Sequence, residues 1–162
     1  MPDAYDLFIY AKNGHRPQLL EHLAELFPRH LQIHYGHYQR EELFEAARRS
    51  RACVYLADDD HGPLALQEIL LAGCPTVGVR TGASFVHTGE TGVIVDRLPP
   101  GGQSVVRDSD ASALKVDSLG RTLSFDRHTV RERAAIQFNT NRVLDAVVSA
   151  LDAARVATRP SM

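Results

Sequence analysis

The apolar residues of this chain fall in short runs, and most runs are followed by a polar turn and then a helical-period segment. Leu7-Phe8-Ile9-Tyr10 is such a run and predicts a first strand, followed by the polar loop Lys12-Asn13-Gly14-His15-Arg16-Pro17. Leu19, Leu20, Leu23, Leu26 and Phe27 then recur at helical spacing, and Pro28 ends that helix. Leu31 to Tyr35 alternates and predicts a second strand, with Gly36-His37-Tyr38-Gln39 as its turn. Arg40 to Ser50 reads as a helix whose buried side carries Leu43, Phe44, Ala46 and Ala47. Ala52-Cys53-Val54-Tyr55-Leu56 is a third strand, and the acidic loop Asp58-Asp59-Asp60 follows it. Leu64 to Ala72 is apolar almost all round, which predicts a buried helix. Thr76 to Val79 is a fourth strand, and Val93 to Val95, after the Gly89-Glu90-Thr91-Gly92 turn, is a fifth.

Strands alternating with helices argue for βαβ units and a parallel sheet covered on both faces. Right-handed crossovers make such a sheet doubly wound, so the fold class is α/β, Rossmann-like. Leu98 to Arg107 holds two prolines and two glycines and reads as a loop. Ala113, Val116, Leu119 and Leu123 suit a helix capped by Asp108 or Asp110, with a hairpin through Ser118-Leu119-Gly120-Arg121 as the alternative. Arg127 to Leu151 carries a long helical pattern that Asn139-Thr140-Asn141 can divide. The expected organisation is one domain over residues 1–152, closed by C-terminal helices, with a flexible tail over 153–162.

Composition narrows the partners. The 162 residues are 44% apolar, enough for one full core and against overall disorder. A net charge of −2 gives no electrostatic reason to expect nucleic acid or an anionic membrane. No apolar run approaches the ~20 residues of a transmembrane segment. The first residues, Met1-Pro2-Asp3-Ala4-Tyr5-Asp6, lack the basic and apolar regions of a signal peptide, so the expected location is cytoplasmic. Cys53 and Cys74 sit in apolar surroundings and are expected to be reduced core thiols.

The chemistry concentrates around Asp60-His61-Gly62-Pro63 and the helix it opens. Ligands in doubly wound sheets bind outside the C-terminal strand edge, where the Lys12, Asp60 and Arg80 loops should converge. A small-residue turn presents backbone N–H groups at a helix N-terminus, where a phosphate can be met. Glu68 lies eight residues after Asp60, about two turns into the helix, placed to accept from ribose hydroxyls. A carboxylate on a buried helix needs a partner or a ligand, and the structural alternative is a backbone N–H or Arg80. Asp60 can face a sugar or cap the helix, and His61 can donate to a sugar or phosphate or simply lie on the loop. Thr81, Gly82 and Ser84 supply a small-residue loop that a phosphate could approach. His30, His34 and His37 have a metal-like spacing but lack a clear fourth ligand, so surface roles are expected. A nucleophile elbow, a Walker loop and a G-x-G-x-x-G are all missing from the sequence.

The segment from Asp60 through Glu68 to Gly73-Cys74-Pro75 resembles the E-x7-E region of retaining GT-B glycosyltransferases of the glycogen-synthase-like, group 1 type. Asp60 stands where that pattern has Glu, and His61-Gly62-Pro63 replaces Gly-aromatic-Gly; Glu68 and the Gly-x-Pro match in place. Gly36-x-Tyr38-x-Arg40-Glu41-Glu42-Leu43, Thr91-Gly92-Val93-Ile94-Val95 and the Phe125 to Phe138 segment are also similar to segments of these enzymes. The resemblance implies the C-terminal, donor-binding half of a GT-B fold, with a nucleotide diphospho-sugar as donor and neither metal nor other cofactor. It places Lys12, Arg16, His61, Gly62, Leu64 and Glu68 around the donor, with Lys12 and Arg16 on its pyrophosphate and Glu68 on its ribose. Asp60 takes the catalytic acid position, facing the donor sugar. These 162 residues are expected to form the donor-side half alone, so transfer is expected to need a partner chain or a further domain. Two alternatives stay open. One is an enzyme similar to nucleoside deoxyribosyltransferases, with Glu68 as nucleophile. The other is a non-catalytic binding or assembly module that keeps the fold.

Overall fold

The computed structural model describes residues 3–13, 17–95, 118–141, 144–145 and 147–150. Five strands form one sheet: β1 (Tyr5–Ala11), β2 (His30–His34), β3 (Ser50–Leu56), β4 (Thr76–Val79) and β5 (Gly92–Val95). The helices are α1 (Pro17–Leu26), α2 (Arg40–Arg49), α3 (Leu64–Leu71), α4 (Ser118–Leu123) and α5 (Arg127–Gln137). All pairings are parallel and the strand order is β2-β1-β3-β4-β5. The order reverses between β1 and β3, which opens a crevice at their C-terminal ends.

Period-two alternation in the central strands sorts the core into two layers. Leu7 and Ile9 of β1 and Ala52, Val54 and Leu56 of β3 pack with Leu19 and Leu23 of α1. Phe8, Tyr10, Cys53 and Tyr55 pack on the opposite face with residues of α2, α3 and α5. The parallel, doubly wound expectation therefore holds, and the reason is visible in β3, which is buried on both sides over most of its length. The helical alternative over Ser118–Arg121 is the one adopted. The predicted caps Asp108 and Asp110, the Leu98–Arg107 loop and the 153–162 tail lie outside the described residues. The long C-terminal pattern does divide: α5 ends on Phe138, and residues 140–141 resume helix.

Two apolar expectations are corrected. Phe44 is exposed, because the buried stripe of α2 narrows to Leu43, Ala46 and Ala47. Helix α3 buries Ala65, Leu66, Ile69 and Leu70, whereas Leu64 at its start is 72% exposed.

The N-terminal strand edge is locked by one side chain. Arg127, the first residue of α5, donates to the carbonyls of Ala47 (2.9 Å), Ala72 (3.3 Å) and Ser50. These carbonyls lie at the C-terminal ends of α2 and α3, where helix dipoles favour a cation. Gly73 makes this junction possible. It has φ +79°, and a Cβ there would sit 2.7 Å from the Arg127 carbonyl oxygen.

Candidate functional site

At the opposite, C-terminal edge, the loops after β1, β2, β3 and β4 meet. The backbone N–H of Lys12 continues the β1–β3 ladder by donating to the Leu56 carbonyl at 2.9 Å. Asn13 then ties the acidic loop down: its amide donates to the Asp59 carbonyl at 3.0 Å, and its carbonyl accepts from the Asp58 N–H at 2.8 Å. The Thr81 hydroxyl donates to the Asp58 carbonyl from the β4 side. Gly82 packs against β3, since a Cβ there would stand 1.7 Å from the Ala57 carbonyl oxygen. Thr81 and Gly82 thus shape the acidic loop, and Ser84 beside them is exposed.

Asp60 is held at the centre of this edge. Its side chain is 4% exposed, with Lys12 Nζ 2.5 Å from Oδ1. The Tyr55 hydroxyl donates to Oδ2 at 2.8 Å. The Tyr55 ring stacks on Tyr10 at 4.9 Å, and the Tyr10 hydroxyl shares a hydrogen bond with Tyr38 at 3.2 Å. Burial, and the hydrogen bonds to Tyr38 and Asp60, push the Tyr10 and Tyr55 phenols above their ordinary range. The Lys12 ammonium also lies 5.2 Å from the centre of the Tyr35 ring, within cation–π range. Its side chain is 25% exposed, so its charge is still open to solvent.

Asp60 is not the cap of α3. The N-cap position is Pro63, which makes no side-chain cap bond, and Asp60 points its carboxylate to Lys12 and Tyr55 instead. Both of its carboxylate oxygens are engaged. His61 is exposed and pairs with Asp59 at 3.0 Å. Gly62 takes φ +104°, which lets the chain turn from the acidic loop into Pro63 and Leu64. Glu68 lies one turn into α3, 22% exposed, and its partner is neither a backbone N–H nor Arg80 but Arg40. The Arg40 Nε stands 2.5 Å from Glu68 Oε1. Arg16 lies outside the described residues.

Lys12 and Asp60 are therefore in direct contact, while Glu68 on α3 pairs with Arg40 at the start of α2. Tyr10, Tyr38, Tyr55, Asn13 and Arg40 join them, and sequence reasoning did not select these as site residues. One signal was available: a tyrosine in a buried strand needs a partner for its hydroxyl. The Tyr10–Tyr55 pairing itself depends on the β1–β3 register, which places the two residues directly side by side.

Other candidates disperse. His30 bonds to the Phe27 carbonyl and His34 to Gln32, and the described residues contain no cluster able to hold a metal ion. Cys53 and Cys74 are free and buried, and desolvation pushes the Cys74 thiol up to about 12. A pocket of about 310 Å³ lies between α3 and the end of α5, lined by Gln67, Phe85, Gln137, Phe138 and Thr140. No described helix is long and apolar enough to cross a membrane.

No protein-family model matches the chain, and no curated protein sequence matches it either. Solved structures do match. One is a GtfA/B complex, at TM-score 0.59 and 16% identity over 95% of this chain and 37% of that one. Another is AviGT4, a glycosyltransferase involved in Avilamycin A biosynthesis, at TM-score 0.44 and 14% identity over 80% of this chain and 45% of that one. The chain spans less than half the length of either solved protein. The likeness to the GtfA/B chain is one of fold: an α/β, Rossmann-like domain.

Proposed function

We propose that this chain is a glycosyltransferase-like domain that binds a nucleotide diphospho-sugar at the crevice between β1 and β3. The observation that carries the reading is the Lys12–Asp60 pair just before α3, with Glu68 one turn into the same helix. Lys12, with Arg16 four residues on in the sequence, would neutralise the diphosphate. The first N–H groups of α3, at Leu64 and after, have no side-chain cap and would add backbone donors beside His61 and Gly62. The second oxygen of Glu68, Oε2, would accept from ribose hydroxyls. Once the diphosphate draws Lys12 aside, the first oxygen of Asp60, Oδ1, would face the donor sugar. The departing nucleoside diphosphate would be stabilised by these fixed positive charges, with no metal in the scheme.

Glycosyl transfer also needs an acceptor site, and we assign it to a partner chain or another domain covering the C-terminal strand edge. The GtfA/B neighbour is itself a complex, which supports such a partner. The two unpaired cysteines suit a reducing compartment such as the cytoplasm.

The engagement of both Asp60 oxygens favours a second reading, a module that binds the donor without transferring it. The ion pair on Glu68 counts against a deoxyribosyltransferase, because a carboxylate nucleophile is weakened by a bound guanidinium.

A thermal-shift screen against UDP, GDP, ADP and their sugar conjugates, with nucleosides as controls, tests the reading. A ligand at 100 times its Kd adds about 2.7 kcal/mol. At about 2–4 °C per kcal/mol, the midpoint should rise by several degrees with one diphosphate. The rise should vanish in a folded Glu68→Ala variant. A rise with nucleosides alone, or with none of the compounds, contradicts the reading.

A further inference from the structure

Arg40 opens α2 immediately after the turn that follows β2, so it stands on the same strand edge as Lys12. Its guanidinium touches Glu68 through Nε alone. Among the described residues, Nη1 and Nη2 bond to no protein group, and the side chain is 79% exposed. Glu68 likewise uses one carboxylate oxygen here and leaves the other. A surface ion pair of this kind contributes little to stability, since solvent screens it. Stability therefore gives a weak reason for the arrangement. An arginine anchored through Nε does, however, present its two Nη donors as a planar fork, the geometry that grips a phosphate bidentately.

We infer that Arg40 is a further binding residue of this site, taking a phosphate of the nucleoside diphosphate on its Nη fork while Nε keeps Glu68 oriented toward the ribose. The inference rests on the donor-binding reading above and adds to it a third phosphate-binding cation, from α2. Lys12 belongs to the loop after β1, and Arg40 follows the turn after β2. A diphosphate between them is met by opposite charge from two elements, and a nucleoside without phosphate is not.

Calorimetric titration of Arg40→Ala and Arg40→Lys with the diphosphate–nucleoside pairs UDP and uridine, GDP and guanosine, and ADP and adenosine separates the possibilities. Arg40→Ala should weaken the preferred diphosphate about tenfold, the loss expected for one charge-assisted contact, and change its nucleoside less than about twofold. Arg40→Lys should recover part of that loss, because an ammonium keeps the charge without the fork. Equal weakening of nucleoside and diphosphate would overturn the inference, since Arg40 would then act only by holding Glu68. An unchanged diphosphate affinity would overturn it as well. If the unaltered protein binds no diphosphate, the donor-binding reading fails and this inference falls with it. The exposure of Arg40 leaves the fold intact in both variants, which circular dichroism would check.

Discussion

Replacing Arg127 by alanine removes one guanidinium from three carbonyls at once. Those of Ala47 and Ala72 accept at 2.9 and 3.3 Å, and that of Ser50 also accepts. The Asp3 carboxylate is a weaker partner at 3.5 Å. Hydrogen bonds from a charged donor contribute about 1.5–3 kcal/mol each when sheltered. Arg127 is partly exposed, so water can replace some of that contribution in the variant. The cation also lies against the negative ends of two helices, an interaction of about 0.3–1 kcal/mol at each. Allowing for water at the exposed side, the net loss should be about 3 kcal/mol, or a midpoint lowered by roughly 6–12 °C for a domain of this size. Among the described residues Arg131 donates only to Ala72, at 3.3 Å, so Arg131→Ala is the control and should lose less than about 1 kcal/mol. Arg127→Lys should recover less than half, because an ammonium cannot span three carbonyls in a fork. Urea unfolding followed by circular dichroism, at unchanged slope, measures all three variants. A loss below about 1 kcal/mol in Arg127→Ala, or full recovery by lysine, would refute the three-carbonyl account.

Tyr55→Phe removes the donor to Asp60 Oδ2 in a nearly dry setting. It should lower stability by about 1–3 kcal/mol, and a double-mutant cycle with Asp60→Ala should show coupling; additive losses would deny the bond. Gly82→Ala would drive a Cβ into the Ala57 carbonyl, so the acidic loop must shift. We expect a loss of about 1–3 kcal/mol together with weaker diphosphate binding, and a variant as stable as the parent would contradict the close packing. Acid dependence follows from two carboxylates. The Arg29 hydrogen bond holds Asp6 below its ordinary 3.8, and the Thr129 backbone N–H does the same for Asp126. A lowered folded pKa stabilises the protein above the unfolded value, and this is lost as pH falls through the folded value. The urea midpoint should therefore drop below pH 3.8 and drop less steeply in an Asp6→Ala, Asp126→Ala double variant. An unchanged acid slope would argue against these pairings.

Four strands were legible in the sequence as short apolar runs and β2 by its alternation, and the parallel sheet follows from the helices between them. Lys12, Asp60 and Glu68 were legible as candidates because loops after parallel strands share one edge. Asp60's actual partners were not, since the same residue type serves as helix cap, ligand group or buried anion. What decides between them is Pro63 at the cap position and a tyrosine five residues back on β3. The Arg40–Glu68 pair joins residues 28 apart on two helices, and only the packing of α2 against α3 brings them together. Phe44 misled for a related reason. Spacing marks an apolar residue near the stripe, but the width of the buried face is set by the neighbouring helices.

The account stands most directly on where a nucleoside diphosphate binds. Amide chemical-shift mapping of the labelled chain, titrated with UDP, GDP and ADP, answers that residue by residue. One of the three should perturb amides at 12–13, 36–40, 58–68 and 81–84, saturably, and leave the Gly73–Arg127 junction at the other edge unmoved. Saturable shifts centred on that junction or on the pocket between α3 and α5, or no saturable shifts with any of the three, would contradict the assignment of this edge as the donor site.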